Sequence, residues 1–386
     1  MRSNSGRRRF IKGAGLTGTI ALAGCISSTD NNGGGDETDT ATPTEESGST
    51  ETESGDGTAT ETEDDSNAGA DVNVGMVYAT GGLGDKSFND MARQGALQAE
   101  EELGISFDQA QPEQNSDFSP AQRQFAESGD YDLISCIGFA QTDALTQNAD
   151  RYSDQHFQIV DSVVDTGNVA SYVFMEHEGS FQVGHLAGLL TSQSFEAGQG
   201  STTGDSTNVG FVGGLDVPLI RKFQAGYEAG VEYANEDVDV QTSYVGSFND
   251  AATAREAALS MYDSGADIVY HAAGASGLGV FQAAQERGKF AIGVDADQSR
   301  SEPDFADWIL ASMVKRVDTA VYTAIESEVD GEFGGGSVTT LGLESDGVAC
   351  VYGEALGDAI PQDVKDQIAA SRQAIIDDEI SVPTEP

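Results

Sequence analysis

Short apolar segments alternate with longer segments of helical periodicity from Asp71 onward, and this alternation constrains the fold most strongly. Strands separated by helices form βαβ units, in which the strands lie parallel in one sheet. The predicted strands are 72–78, 133–139, 157–164, 170–176, 209–212, 240–245, 268–271, 290–294, 309–313 and 348–352. The predicted helices are 90–103, 119–128, 141–153, 180–193, 219–235, 251–264, 277–287, 315–329 and 361–377.

This number of units exceeds what one small sheet holds, so the pattern predicts an α/β fold with two lobes. Each lobe is expected to contain a mostly parallel sheet flanked by helices. Residues 71–170 and 298–330 are assigned to the first lobe, and residues 175–294 and 335–386 to the second. A glycine-rich connection at 331–336 leads to the last strand, so the chain is expected to cross between the lobes three times.

One polar cluster lies where a ligand would bind in such a fold. The segment GGLGDKSFND at 81–90 follows the first predicted strand and precedes the first predicted helix. Ligands bind outside the carboxyl ends of parallel strands, and helix N-termini face the same edge. The cluster offers an acid, a cation, neutral hydrogen-bonding groups and an aromatic ring, which suits a small polar molecule with an aromatic ring. The alternative is a surface turn in which Asp and Ser only cap the helix.

The first residues are typical of an export signal and are excluded from the fold. Residues 7–12, RRRFIK, match a twin-arginine signal, and the apolar segment 14–23 is far shorter than the ~20 residues of a membrane span. The segment ends in LAGC at 22–25, which resembles a lipoprotein processing box. We therefore expect residues 1–24 to be a removed signal and Cys25 to carry lipid. The alternative is an ordinary short helix with a chance cysteine.

The next segment predicts a flexible tether. Residues 26–70 contain no aromatic residue and no Lys or Arg, and they consist mainly of Thr, Ser, Gly, Asp and Glu. A segment of this composition cannot bury enough apolar surface to offset the entropy of ordering it. Residues 25–70 are therefore expected to tether the folded part to the outer face of the cell membrane through Cys25.

The charge of the chain excludes some partners. Asp and Glu number 65 against 19 Lys and Arg, which gives a formal net charge of -46. Such a surface repels nucleic acid and anionic lipid headgroups, so no nucleic-acid partner is expected. An acidic bias along the whole chain with few lysines indicates adaptation to high salt, where counterions screen the self-repulsion.

Seven segments, in order along the chain, resemble segments of one known family. They are GGLGDKSFND at 81, IVDSVV at 159, SFQVGHLAGLL at 180, VGFVGGLDVPLIRKFQAGYEAGV at 209, DIVYHAAGASGLGVFQAA at 267, AIGVDADQ at 291 and ASMVKRVDTAV at 311. They resemble the basic membrane protein family of lipoproteins, which contains substrate-binding proteins of ABC transporters of the purine nucleoside receptor type. The resemblance implies the type I periplasmic-binding architecture with three hinge crossings. It also implies that a nucleoside, most often a purine, binds between the lobes and is delivered to a membrane permease. With the acidic composition, it suggests a haloarchaeal member.

The resemblance also implies which residues contact the base. Phe88 and Phe223 would stack on its two faces, Asp161 would accept hydrogen bonds from its edge, and Asn89 would offer its amide to a ring nitrogen. Base–aromatic stacking contributes about 1–3 kcal/mol per base. The alternatives are core packing for each Phe and a helix cap or surface charge for Asp161.

The remaining candidates concern the ribose and the site's frame. By the same resemblance, Asp295 would accept from ribose hydroxyls and Lys315 would donate to the ribose, with a hinge residue and a surface lysine as the alternatives. Gly274 would let the backbone approach the ligand closely. The candidate set is completed by Asp85, Lys86 and Ser87, as positioning groups more than direct contacts.

An enzyme and a different receptor are the rival interpretations. The four histidines do not form a metal-binding spacing, and the chain has neither a P-loop nor a G-x-S-x-G elbow. A nucleoside-processing enzyme would need a metal site that the spacing does not provide. We therefore expect no enzymatic activity, no cofactor and no metal. A receptor for another small polar ligand, such as a sugar, on the same fold is the alternative.

Overall fold

The structure, a computed structural model, describes residues 71–386. The predicted signal at 1–24, the tether at 25–70 and the lipid on Cys25 lie outside the described residues. No helix among residues 71–386 is both long enough and apolar enough to cross a membrane.

The described residues alternate between strands and helices, as the sequence predicts. The strands are β1 (Asn73–Val77), β2 (Ser106–Ala110), β3 (Leu133–Ile137), β4 (His156–Val160), β5 (Val169–Phe174), β6 (Glu196–Ala197), β7 (Gly200–Ser201), β8 (Asn208–Gly213), β9 (Asp239–Tyr244), β10 (Ile268–Ala272), β11 (Phe290–Asp295), β12 (Ile309–Lys315), β13 (Val338–Leu341) and β14 (Val348–Tyr352). The α-helices are α1 (Phe88–Leu103), α2 (Phe118–Ser128), α3 (Thr142–Arg151), α4 (Glu176–Thr191), α5 (Pro218–Ala234), α6 (Ala251–Asp263), α7 (Leu278–Arg287), α8 (Gln298–Ser301), α9 (Val317–Val329) and α10 (Gln362–Ile376).

Two six-stranded sheets form the two lobes, which confirms the predicted fold class. The first sheet has the order β13-β5-β4-β3-β1-β2, and all its neighbouring strands are parallel. The second has the order β14-β12-β11-β10-β8-β9, and only β14 runs antiparallel to its neighbour. Every residue of the central strands β3 and β11 is buried, because helices cover both faces of a parallel sheet.

The strand pairing corrects the predicted lobe boundaries. The sequence assigns residues 298–330 to the first lobe. Strand β12 instead pairs with β11 and β14 in the second sheet, whereas α9 packs on α1 in the first lobe as expected. The sequence assigns residues 335–386 to the second lobe. Strand β13 instead pairs with β5 in the first sheet, whereas β14 and α10 lie in the second lobe as expected. The chain therefore crosses between lobes after β5, after β12 and after β13.

The reason for the correction lies in the burial of these two strands. All seven residues of β12 are buried, so this strand needs a neighbour on each edge, which the second sheet provides. In contrast, β13 is a short edge strand of alternating exposure with the sequence VTTL, so its apolar signal is weak. Strand β2 is also an edge strand, with a largely exposed surface, and the sequence pattern missed it for the same reason.

Glycines allow α4 and α5 to pack with their backbones in contact. A Cβ at Gly184 would overlap the carbonyl oxygen of Tyr227, and a Cβ at Gly230 would overlap that of Phe181. Only glycine permits such a close approach. The packing holds α5 so that Leu219, Ile220 and Phe223, near its N-terminus, line the space between the lobes.

Candidate functional site

A cavity of about 320 Å³ lies between the lobes, at the carboxyl ends of strands from both sheets. This is where open α/β sheets bind their ligands. The first lobe contributes residues that follow β1, β3 and β4, and the second contributes residues from α5 and from the ends of β10, β11 and β12. The predicted site residues that line it are Asp85, Phe88, Asn89, Asp161, Phe223, Gly274, Asp295 and Lys315.

Asp85 acts mainly as a helix cap inside the cavity wall. Its carboxylate accepts hydrogen bonds from the backbone N–H groups of Ser87, Asn89 and Asp90, at 2.9–3.1 Å. It also accepts one from the side-chain amide of Asn89 at 3.0 Å. The side-chain oxygen of Asn89 accepts from the N–H of Ala79 at 2.9 Å. The oxygen and the nitrogen of the Asn89 side-chain amide are thus both held in place. Asp85 caps the helix, which is the alternative to direct ligand binding.

Lys86 and Ser87 do not line the cavity, and the structure places them in contacts between the lobes. The carbonyl oxygen of Lys86 accepts hydrogen bonds from the side chains of Gln298 and Ser301, at 3.2 and 3.1 Å. Its side chain borders a separate pocket beside the start of α1. The Ser87 hydroxyl donates to a carboxylate oxygen of Asp295 at 2.6 Å. Both residues therefore position the loop rather than face the cavity.

Backbone strain is concentrated at this site. Lys86, Asp161 and Asp295 have φ values of 55°, 67° and 64°, in the left-handed region that disfavours residues other than glycine. Such conformations cost on the order of 1–3 kcal/mol each and persist where function needs a particular side-chain direction. Asp161 and Asp295 each lie at the carboxyl end of a buried strand, so the strained backbone directs both carboxylates into the cavity wall.

A cluster of four charged side chains lies beside the cavity, and all of them except Lys222 are buried. The Lys315 ammonium is 2.6 Å from Asp161 and 3.1 Å from Glu176. The second oxygen of Glu176 is 2.8 Å from the Lys222 ammonium, which also donates to the carbonyl oxygen of Phe174 at 3.0 Å. The sequence does not single out either Glu176 or Lys222. Glu176 lies in none of the segments that resemble the family, and Lys222 lies inside the segment at 209 but has no assigned role there.

The protonation of these groups follows from their burial and their partners. Burial raises the pKa of Asp295 to about 7, and Lys315 and Ser87 oppose this shift only in part. Burial also raises the pKa of Asp161, against the effect of Lys315. Burial alone would raise the pKa of Glu176, but Lys315 and Lys222 hold it below its ordinary value. Burial would lower the pKa of Lys315, but its carboxylate neighbours raise it, so the ammonium stays charged.

Aromatic rings surround the same ammonium. The Lys315 nitrogen lies 4.9 Å from the ring centroid of Phe174, 5.2 Å from that of Phe88 and 5.5 Å from that of Phe223. These distances permit cation–π attraction. Phe223 is only 3% exposed, so most of its surface packs in the core, which is the alternative to base stacking.

Two further phenylalanines line the cavity, and the sequence analysis missed them. Phe139 follows β3 in the first lobe and Phe248 follows β9 in the second, with ring centroids 6.5 Å apart in an edge-to-face contact. Phe248 lies against Gly214 and Gly274, where a Cβ would contact or overlap it. Gly274 has a φ of 55°. Its lack of a side chain thus serves the turn, whereas Gly214 leaves the space that the Phe248 ring occupies.

The rest of the wall is mostly apolar. The lining residues that the sequence analysis did not select are Ala79, Thr80, Gly81, Asn115, Gly138, Phe139, Ala140, Leu215, Val217, Leu219, Ile220, Phe248, Ala272, Ala275 and Val294. Several come from GLDVPLI at 214–220, whose apolar residues around a proline precede α5. Within residues 71–386, no group of His, Cys, Asp and Glu side chains could hold a metal ion. The cavity thus combines hydrogen-bond acceptors, one ammonium and aromatic faces.

Comparison with known proteins identifies the family. Residues 72–385 match the profile of the Bmp family, described as PnrA-like ABC transporter substrate-binding proteins. The chain belongs to this family. The resemblance found in the sequence is thereby confirmed, and the family is one of substrate-binding proteins rather than enzymes.

Individual relatives agree with this assignment. An uncharacterized lipoprotein of Pyrococcus furiosus is 35% identical over 336 residues, which cover 80% of each chain. The ABC transporter nucleoside-binding protein BmpA of Lactococcus lactis is 33% identical, over 81% of this chain and 90% of BmpA. A solute-binding protein of an ABC transporter system from Aeropyrum pernix has a known structure with a TM-score of 0.73 and 31% identity. The match covers 81% of this chain and 93% of that one.

Proposed function

We propose that this substrate-binding protein is a lipid-anchored receptor that binds nucleosides, preferentially purines, and delivers them to an ABC permease. The observation that carries the proposal is the cavity between the lobes, where aromatic rings, carboxylates and one ammonium converge within about 320 Å³. A flat heterocycle joined to a hydroxyl-rich ring uses all three kinds of group. The name of the Lactococcus lactis relative, a nucleoside-binding protein, points in the same direction.

Each polar side chain has a role in this proposal. Asp161 accepts hydrogen bonds from the edge of the base, and Asn89 offers the amide hydrogen that its contact with Asp85 leaves free. Asp295 accepts from the ribose hydroxyls, and Lys315 donates to the ribose. Phe88 stacks on one face of the base. Phe223 or Phe248 provides the second face, and the half-buried ring of Phe248 has more surface available than Phe223.

The charge of the cavity favours a neutral ligand. Three carboxyl groups line it, on Asp85, Asp161 and Asp295, against the single ammonium of Lys315, which is already paired with Asp161. Asp295 is partly protonated near pH 7, since its pKa is about 7, and the negative charges still outnumber the ammonium. A phosphate group would meet like charges at short range, which costs several kcal/mol when no cation compensates. The proposal is therefore that nucleosides bind and nucleotides do not.

Delivery to the permease would follow from lobe closure. A ligand that contacts both lobes stabilises the closed form by its differential affinity for the two forms. The three crossings of the chain allow a hinge motion with little change inside each lobe. The closed pair of lobes then presents one joint surface to the permease subunits.

The anchoring part of the proposal rests on the N-terminal sequence and on relatives that are named lipoproteins. After twin-arginine export, lipid on Cys25 would hold the protein at the outer face of the membrane. Replacing Cys25→Ser should release the protein into the medium, whereas the unmodified chain fractionates with membranes. Recovery of the variant in the membrane fraction would contradict lipid anchoring at this residue.

Calorimetry with paired ligands tests the ligand class. We expect a purine nucleoside to bind one-to-one, and its 5′-monophosphate to bind at least one hundred-fold more weakly, since ~2.7 kcal/mol of repulsion suffices for this factor. Free ribose would bind weakly because it offers nothing to the aromatic faces. Equal binding of the nucleoside and its monophosphate would contradict the proposal that the negative charge of the cavity excludes nucleotides.

A further inference from the structure

Glu176 occupies an unusual place, at a crossing between the lobes. It is the first residue of α4, directly beyond the crossing that follows β5, and its side chain is fully buried. Its two carboxylate oxygens contact different lysines, Lys315 at 3.1 Å and Lys222 at 2.8 Å. A buried carboxylate lowers the stability of the fold unless it is paired, and the two lysines provide this pairing for Glu176.

Lys315 and Lys222 connect Glu176 to neighbouring strands and to α5. Lys315 is the last residue of β12, immediately before the second crossing, and Lys222 lies in the first turns of α5. Lys222 also donates to the carbonyl oxygen of Phe174, the last residue of β5. The cluster therefore joins two crossings of the chain through charged contacts inside the molecule.

The geometry limits what the Lys315 ammonium can do. A lysine side chain is long and flexible, and fixing it at a ligand costs entropy unless it is held beforehand. Asp161 holds the ammonium from the first lobe and Glu176 holds it from the crossing, at 2.6 and 3.1 Å. Both contacts are close charge pairs, and Lys315 also lines the cavity, so the ammonium is held where a ligand can approach it.

We propose that Glu176 is a positioning residue for ligand recognition, which holds the Lys315 ammonium at the cavity while Lys222 balances the charge of Glu176. The proposal rests on the proposed function, in which Lys315 donates to the ligand. Glu176 itself does not line the cavity. Its effect on the ligand passes through Lys315.

Three variants separate positioning from simple packing. Glu176→Gln keeps the shape of the side chain but loses its charge, and it should weaken nucleoside binding about ten-fold, the loss expected for one charged contact. Lys222→Met leaves the Glu176 charge less compensated and should lower the melting temperature. The third variant combines Glu176→Gln with Lys222→Met, so neither charge is present. Its melting temperature should recover relative to that of Lys222→Met. Binding should nevertheless stay as weak as in Glu176→Gln.

The matched control is Lys289→Met. Lys289 pairs with the buried carboxylate of Asp267 in the second lobe, at the ends of β10 and β11 that lie opposite the cavity. Its loss should lower the melting temperature but leave the nucleoside affinity within two-fold of the original. If either Glu176→Gln or the double variant binds the nucleoside as tightly as the original protein does, Glu176 has no positioning role.

A measurement without ligand separates this proposal from the proposed function. The chain contains six lysines, so the side-chain ¹⁵N–¹H spectrum of its ammonium groups is simple. A held, buried ammonium exchanges its protons slowly and gives a visible signal, which Lys315→Met identifies. We expect Glu176→Gln to abolish or broaden this signal, and Lys289→Met to leave it unchanged. A signal unaffected by Glu176→Gln overturns the proposal. If the signal is lost but no nucleoside binds the original protein, the proposed ligand is wrong and the positioning of Lys315 stands.

Discussion

Ser87 of the first lobe donates a 2.6 Å hydrogen bond to Asp295 of the second, and both residues are buried. Ser87 precedes α1, and Asp295 ends β11. Neither lobe can make this contact alone, so it forms only when the lobes are close together. It therefore couples the loop that carries Phe88 to the carboxylate proposed to bind ribose.

Ser87→Ala removes this hydrogen bond and should destabilise the closed form of the protein. A hydrogen bond to a charged group contributes about 1.5–3 kcal/mol, and its loss favours the open form. We expect the ligand to dissociate faster by a corresponding factor, as measured by stopped-flow. Ser264→Ala is the control, because the Ser264 hydroxyl donates only within its own region, to the carbonyl oxygen of Ser260. An unchanged dissociation rate would show that the contact does not hold the lobes closed.

The protonation of Asp295 should make stability rise as the pH falls. Its pKa is about 7 in the folded protein and ~3.9 in an unfolded chain, so between these values only the folded state binds the proton. Under proton linkage, this group adds to the free energy of unfolding as the pH decreases from about 7 to about 4. Chemical unfolding at several pH values should show this slope for the original protein and a smaller slope for Asp295→Asn.

Ligand affinity should change with pH in the opposite direction. The ionised form of Asp295 accepts two hydroxyl hydrogen bonds, whereas the protonated form loses part of this capacity. Nucleoside affinity should therefore decrease as the pH falls through about 7, the folded pKa of Asp295. Asp295→Asn should bind weakly at every pH, with a flatter profile. Equal pH profiles for the two proteins would remove Asp295 from the ligand contacts.

Alanine replacements distinguish the candidate stacking faces. Phe88→Ala should weaken binding by about 1–3 kcal/mol. If Phe248 is the second face, Phe248→Ala should cost a similar amount with little change in fold stability. Phe223 is buried in the core, so Phe223→Ala should lower the free energy of unfolding by about 3–5 kcal/mol. Calorimetric titration and thermal unfolding of the three variants would decide between Phe223 and Phe248. A Phe88→Ala protein with the original affinity would contradict stacking at this ring.

The acidic composition should make folding depend on salt. At a net charge of -46, self-repulsion is weakly screened in dilute buffer and strongly screened at molar salt. We expect the circular dichroism signal of the helices to decrease in dilute buffer and to return in molar salt. A spectrum that does not change with salt would contradict adaptation to high salt.

The buried strands could be predicted from the sequence, but their assignment to lobes could not. Strands such as β3 and β11 are continuous apolar segments, because both faces of a parallel sheet are covered. Strand β12 has the same local signal, yet its lobe is decided by pairing with β14, which follows more than thirty residues later. Edge strands such as β13 carry too little apolar signal to be found locally.

The site could be predicted where motifs mark it and not where distant side chains meet. The family resemblance selects Phe88, Asp161, Asp295 and Lys315, all of which line the cavity. Glu176 in the segment EHEGS looks like an ordinary acid at a helix start, and its contact with Lys315 depends on the packing of α4 against β12, which lies far later in the sequence. The position of Phe248 likewise depends on Gly214, which lies more than thirty residues earlier in the sequence.

The most direct test of the central claim is a calorimetric titration of the purified protein, in molar salt, with a panel of nucleosides, free bases and sugars. The account predicts tight one-to-one binding of a purine nucleoside, which is recovered chemically unchanged. Heat from a sugar or another metabolite, with none from any nucleoside, would leave the fold and the family intact and would contradict the proposed ligand.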